Sequence, residues 1–302
     1  MSSFEGCWHR IDRATAHRKA TIEEWNTFLD EDPYSTVLRH EGEGHYELTV
    51  VQDAPSRPLI PVLFGEWLQD LRIALNYCVY DVAIFDSGED PPPEPDKLEF
   101  PIYERESSFT SNLQKIRPLT ERHRGWIEAV QPYKDTAHDP QRTALYWLNE
   151  LARIDRHRSL HIIGAYIVES DSIVRAPGKN VVFEDIGERR IMLNGEAVIA
   201  RFQVTPWAEG DKVEANPQVA LDPEITEWAM RKPDPTVWET FSFGERLRLI
   251  ETLVQTIVGR FERDCTGWTR IKHLLRDEPD PKPGGVKEPS RDRGLPAPSR
   301  AW

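Results

Sequence analysis

Cysteine is scarce in this 302-residue chain, and the few present do not cluster. Cys7, Cys78 and Cys265 are odd in number, far apart and without CxxC spacing, which argues against a disulfide framework or a structural zinc site and fits a reducing cytoplasm. Long apolar runs are missing too. No segment approaches the roughly 20 apolar residues that a membrane span requires. The N-terminal Met1-Ser-Ser-Phe-Glu-Gly-Cys-Trp-His9 lacks the basic region and apolar core of a signal peptide, so no membrane partner is expected. Positive charge is in deficit: the formal net charge is −13, so the summed field repels polyanions and any nucleic-acid contact needs a local basic patch. The chain also lacks a Gly-rich phosphate loop, a GxSxG elbow, an HExxH pair and a nucleophilic cysteine context, so no cofactor is implied and enzymatic activity is left open. There is no internal repeat.

What is present is the composition of a folding protein. With 39% hydrophobic residues, 29% charged residues and 10 tryptophans, the chain can bury a substantial core as one large or two ordinary domains. Thr21-Ile-Glu-Glu24 has the form of a capping box opening a short helix to about Asp30. His45–Gln52 is rich in β-branched and aromatic residues and is expected as a strand. From Pro61 to Phe85, Phe64, Trp67, Leu68, Leu71, Leu75, Cys78, Val82 and Phe85 recur at helical intervals and predict a long core-facing helix, ended by the proline-rich loop after Gly88. Two shorter helices are expected between Ser107 and Gln131, broken at Pro118. A third is expected from Gln141 to Arg156, with Ala144, Trp147, Leu148, Leu151 and Ile154 inward.

After Ser159 the period changes to two, as in a central strand. Asn194-Gly195 within Ile191–Ala200 marks a hairpin, and strands at 181–186 and 212–221 extend an antiparallel sheet. Ser242-Phe-Gly-Glu245 caps a closing helix that is expected to cover the sheet. The fold class is therefore α+β: a mainly helical region with one early strand at 1–158, an antiparallel sheet and closing helix at 159–275, and a polar disordered tail at 276–302.

The densest set of titratable groups is Arg153-Ile-Asp-Arg-His-Arg-Ser-Leu-His161. Cations gather in the last turn of a helix because they offset the partial charge of unpaired carbonyls, and this accounts for most of the set. Asp155 is different. It continues the line of Leu148 and Leu151, and a carboxylate there needs a partner such as Arg158 or a group on the long helix. His157 and His161 have the spacing of a helical metal pair, which the strand pattern after Ser159 opposes. On the long helix, Asp70, Arg72, Asn76, Tyr77 and Asp81 form either a solvated face or a polar seam, with Arg72 the natural counter-ion of Asp155 if the helices meet. Arg117-Pro-Leu-Thr-Glu-Arg-His-Arg124, followed by Trp126 and Tyr133, can receive a phosphate or a base, or can be an ordinary charged helix face.

Two segments carry a resemblance. Asp70-Leu-Arg-Ile-Ala-Leu-Asn-Tyr-Cys-Val-Tyr80 resembles the Leu-Arg-x-Ala-Leu-Asp-His-Leu helix of a bacterial family of cytoplasmic proteins of unknown function. Leu148-Asn-Glu-Leu-Ala-Arg-Ile-Asp-Arg-His-Arg158, following Gln131-Pro-Tyr133, is similar to that family's Ile-Asp-Lys-His-Arg segment, and the likeness spans about Val51 to Val168. The Arg-x4-His spacing is also similar to that of HEPN domains, helical bundles that dimerise and include metal-independent ribonucleases. That resemblance implies a homodimer and an arginine and histidine acting on an RNA phosphate and 2′-hydroxyl. Here Tyr77 stands at the histidine position, a poor general base with an ordinary pKa of about 10. His157 is the candidate to replace it. The expected function is a non-catalytic binding or interaction protein, with a protein or RNA partner and a charged pocket of Arg72, Asn76, Asp155, His157 and Arg158. The alternative is a HEPN-like ribonuclease using Arg72 and His157.

Overall fold

The computed structural model describes residues 4–135, 139–158, 162–186, 192, 195–230 and 241–270. They divide into two compact units, one within Met1–Pro33, Ala54–Gly164 and the described residues from Pro223 on, the other within Tyr34–Asp53 and Ala165–Asp222. The architecture is α+β. Both units draw on segments from either side of residue 158. The expected tail and the Ser159–His161 segment lie outside the described residues.

The first unit is helical. Its opening helix α1 spans Glu5–Leu29, much longer than the expected short helix. Thr21 is not a cap but a buried mid-helix residue, and its hydroxyl donates to the His17 carbonyl at 2.8 Å. The physical reason lies in the inward stripe Cys7, Trp8, Ile11, Ala14, Arg18, Thr21, Trp25 and Phe28, whose spacing is helical although two members are polar. α1 packs along α2, Leu59–Ser87. Pro61 is tolerated in the first turn of α2 because amides there have no helical partner. Phe64, Trp67, Leu68, Leu71, Leu75, Cys78 and Val82 are buried as their period requires, each large side chain contributing about 1.5–3 kcal/mol. Phe85, expected in the core, is 48% exposed at the C-terminal end of the helix.

α3 (Glu106–Ser111) and α4 (Glu121–Ala129) fall on either side of Pro118, and α5 spans Ala144–Asp155. A short α6 covers Thr226–Met230, and α7 runs Phe243–Thr266 from a complete Ser242/Glu245 capping box. α7, expected to cover the sheet, packs on α1, α2 and α5. Polar groups cross-link these helices inside the core. Glu251 accepts from Arg18 Nε at 2.9 Å, Thr15 Oγ1 at 2.5 Å and Trp67 Nε1 at 3.4 Å, while Glu262 accepts from Trp8 Nε1 at 3.0 Å. The acids on the inward stripe of α7 pack against helices that carry their donors.

The second unit holds a four-stranded antiparallel sheet in the order β1 (Tyr34–Gly42), β2 (His45–Gln52), β5 (Glu196–Thr205) and β4 (Asn180–Phe183). Half of this sheet comes from residues before 53, against the expectation that the second half of the chain supplies most of it. Gly44 closes the β1–β2 turn at φ 79°, where an added Cβ would overlap the Val204 carbonyl and the Trp207 side chain. Tyr46 and Phe202 pair across β2 and β5 and stack at 5.4 Å. Strands β3 (Ile162–Arg175) and β6 (Glu214–Ile225) form a separate two-stranded sheet, so β6 does not extend the larger one. Gly195 has a positive φ of 82°, and the rest of the expected hairpin turn lies outside the described residues. No helix among the described residues is long and apolar enough to cross a membrane.

Candidate functional site

The expected pocket residues have partners of their own. Arg72 is buried at 8% exposure and donates to the Phe100 carbonyl from Nη1 and Nη2 at 3.5 and 3.4 Å. Its ion-pair partner is Glu99, at 3.3 Å. One turn on, Asn76 Oδ1 accepts the Phe100 N–H at 3.0 Å. The two side chains thus hold both sides of one loop residue whose ring is fully buried. Burial pulls the Arg72 pKa down and Glu99 opposes it, leaving a cation at neutral pH. Tyr77 is exposed, with the Arg10 guanidinium 5.8 Å from its ring centroid.

Asp155 is half-buried and accepts from Gln69 Nε2 at 3.2 Å, so the expected Arg72 counter-ion is replaced by a neutral donor. The cause is where α5 meets α2. Gly65 has no side chain, and the Asp155 carboxylate occupies the space that a Cβ there would fill. Gly65, Gln69, Arg72 and Asn76 share one helical stripe, but Asp155 reaches its first two members while the Phe100 loop covers the last two. His157 is exposed, and Arg158, 58% exposed, pairs with Glu227 at 3.2 Å. The structure joins Arg72 to Asn76 through Phe100 and gives Asp155 and Arg158 other partners.

An Arg/Asp/His cluster does assemble, from other residues. Thr120 caps α4 by accepting the His123 N–H, which fixes His123 one turn into the helix. The imidazole is 2% exposed. Its Nδ1 lies 2.8 and 2.9 Å from the Asp86 oxygens near the end of α2, and its Nε2 lies 3.1 Å from Asp264 Oδ2 near the end of α7. Asp86 also accepts the Thr120 N–H at 2.7 Å, and the other Asp264 oxygen accepts from Arg122. Trp126 and Phe261 pack edge-on to the imidazole at 5.3 and 5.5 Å.

With a carboxylate on each ring nitrogen, both nitrogens donate only in the imidazolium form. Burial by itself would lower the His123 pKa, but the hydrogen bond and charge of Asp86, joined by those of Asp264, outweigh it and hold His123 above its ordinary value. Burial likewise pushes Asp86 up, and the His123 and Thr120 hydrogen bonds overcome it and leave Asp86 below the ordinary carboxylate value. The carboxylates lie on opposite edges of the ring and cannot converge on one ion; no group of three metal-ligating side chains stands ready among the described residues.

Beside this clamp lies a cavity of about 420 Å³ lined by Trp126, Thr256, Arg260, Arg263 and Asp264. Thr256, Arg260 and Arg263 recur on one face of α7. The Arg260 guanidinium lies 4.1 Å from the Trp126 ring centroid and that of Arg122 lies 4.9 Å from it. Among the described residues no carboxylate is within ion-pair distance of Arg260 or Arg263. A second cavity of about 380 Å³ includes Tyr103, Arg105, Ser108, Tyr146, Glu150 and Arg153, but there Arg153 is held by Glu150 through two 2.8 Å hydrogen bonds.

The Arg117–Arg124 patch and Trp126 stand out in the sequence, but Asp86, Arg260, Arg263 and Asp264 do not. Asp86 and Asp264 lie 37 and 141 residues from His123, and no local spacing links them to it. Protein-family models, curated proteins and solved structures all fail to yield a match to this chain.

Proposed function

We propose that this protein is a non-catalytic binding protein whose charged Arg/Asp/His pocket is the α4–α7 groove, and that the pocket takes an anionic ligand. The observation that carries this reading is the pair Arg260 and Arg263, two guanidinium groups without acidic partners among the described residues, beside a cavity walled by Trp126. Asp264 is the acid in that wall, and its two oxygens are engaged by Arg122 and His123. An incoming anion therefore meets an acid already paired with two cationic partners.

The neighbouring groups support binding without chemistry. His123 is sealed from solvent with both nitrogens engaged, so it has no route for exchanging a proton with a ligand. The Thr256 hydroxyl donates to the Thr252 carbonyl at 2.8 Å. Burial, with Asp86 and Asp264 adding to it, pushes the Cys265 thiol up to about 12, far from a nucleophilic thiolate at neutral pH. The ribonuclease alternative gains no support from Arg72, which is buried against Phe100 and Glu99. Three free cysteines suit a reducing compartment, and we place the protein in the cytoplasm on that ground.

The test is thermal unfolding in sulfate, phosphate and citrate at constant ionic strength, for the parent protein and Arg260→Ala/Arg263→Ala. An anion at about 100 times its Kd stabilises the folded state by about 2.7 kcal/mol. The reading expects at least one anion to raise the parent Tm, with that rise lost in the double variant. Equal shifts in both proteins, or none in either, overturn it.

A further inference from the structure

We infer that the α4–α7 groove is a site for the phosphate group of a small phosphate monoester, an inference that rests on the anionic-ligand reading above. Arg260 and Arg263 lie one turn apart on the same face of α7 and both line the cavity. A carboxylate offers two oxygens in one plane and is satisfied by one guanidinium fork. A terminal phosphate offers three oxygens in a tetrahedron and accepts two forks from different directions. Its double negative charge also matches two arginines without acidic partners among the described residues.

Arg260 is partly organised for this task. Its guanidinium lies 4.1 Å from the Trp126 centroid, so less freedom is lost when it takes a ligand. Trp126 is itself held by Phe261 at 5.5 Å and His123 at 5.3 Å. The charged groups facing the cavity and its back wall are Arg122, Arg260, Arg263 and His123 against Asp86 and Asp264. The balance is positive whether or not His123 keeps its proton. One effect opposes binding: the cavity lies toward the C-terminal end of α7, whose partial negative charge disfavours anions, and the two arginines must outweigh it.

Size and total charge decide between a small ester and a nucleic acid. A cavity of about 420 Å³ is toward the small end for a small-molecule site. A net charge of −13 repels a polyanion along its length, whereas a single terminal phosphate feels chiefly the local cations. The organic part of the ester then rests against the apolar edge of Trp126.

The experiment is ligand-observed 31P NMR and calorimetry with phenyl phosphate, inorganic phosphate, citrate and poly(U), on the full chain and on Arg260→Ala, Arg263→Ala and Arg263→Lys. These two arginines are exposed, and circular dichroism verifies that the variants fold. The inference expects phenyl phosphate to bind more tightly than inorganic phosphate. It expects each alanine variant to weaken phenyl phosphate by about tenfold or more, and Arg263→Lys to weaken it less, because the charge remains while the fork is lost. Citrate binding without phenyl phosphate binding overturns the phosphate assignment and leaves the anionic-ligand reading standing. Inorganic phosphate binding alone overturns the ester. Arginine-dependent poly(U) binding tighter than phenyl phosphate overturns the small ligand. No binding by any of the four overturns both readings.

Discussion

His123→Leu tests the clamp beneath the groove. The substitution removes a group that bonds two carboxylates, and leaves Asp86, with 3% of its side chain exposed, held by Thr120 and without a cationic partner in the clamp. Breaking a buried charged pair by deleting one partner costs about 3–5 kcal/mol. The pH dependence is the sharper signature. His123 is held above its ordinary value, so its stabilisation is complete below about pH 6.5 and is lost as the pH climbs through its raised folded-state pKa. Over that window the folded protein keeps a proton that the unfolded chain has released. The parent therefore loses up to about 1.4 kcal/mol per pH unit relative to the variant, and then levels off. Asp86 is held low, so its share is present above about pH 3.9 and is lost as acid titrates it. The gap between parent and variant is thus widest from about pH 4 to 6.5 and narrows on either side. Urea unfolding followed by far-ultraviolet circular dichroism, which is dominated by the helices of the first unit, measures this gap from pH 4 to 9. Other histidines cancel in the difference. A gap that stays constant, or that widens above pH 7, refutes the imidazolium clamp.

Two further predictions concern packing. Glu251→Leu removes the carboxylate that Arg18, Thr15 and Trp67 share in the helical core and is expected to cost about 3–5 kcal/mol in chemical denaturation, whereas Arg18→Met/Glu251→Leu together recovers part of that loss; equal costs for single and double variants would refute the pairing. Gly65→Ala forces the Asp155 carboxylate off α2 and is expected to cost about 1–3 kcal/mol, with the penalty relieved in an Asp155→Ala background, as a thermal-unfolding cycle will show.

How far the fold is legible in the sequence depends on whether burial falls on apolar residues. Strand β2 is found residue for residue, and α2 nearly so, because their buried positions are apolar at the right period. Most of α1 is missed because Arg18 and Thr21 interrupt its stripe, and the acid that makes Arg18 tolerable is on α7. Strand β1 is missed for the opposite reason: none of its residues is fully buried, so it carries no alternating apolar face. The periodicity of α7 identifies its inward face but says nothing about whether that face meets a sheet or helices. The candidate site divides in the same way. His123, Arg122 and Trp126 stand in one basic and aromatic segment. Asp264 and the groove arginines lie on a helix whose charged residues look like an ordinary solvated face until α4 is placed beside it.

The Arg18–Glu251 bond also imposes an order on biosynthesis. Its two ends are separated by 233 residues. At ribosomal rates of about 5–20 residues per second, the first helix therefore waits roughly 10–50 s for its acid. Through that interval the Arg18–Glu251 contact between α1 and α7 cannot form, and its absence separates nascent chains from finished ones. A chain stopped before Glu251 never forms that contact, and it also leaves the Thr15 hydroxyl and the Trp67 Nε1 without the Glu251 carboxylate.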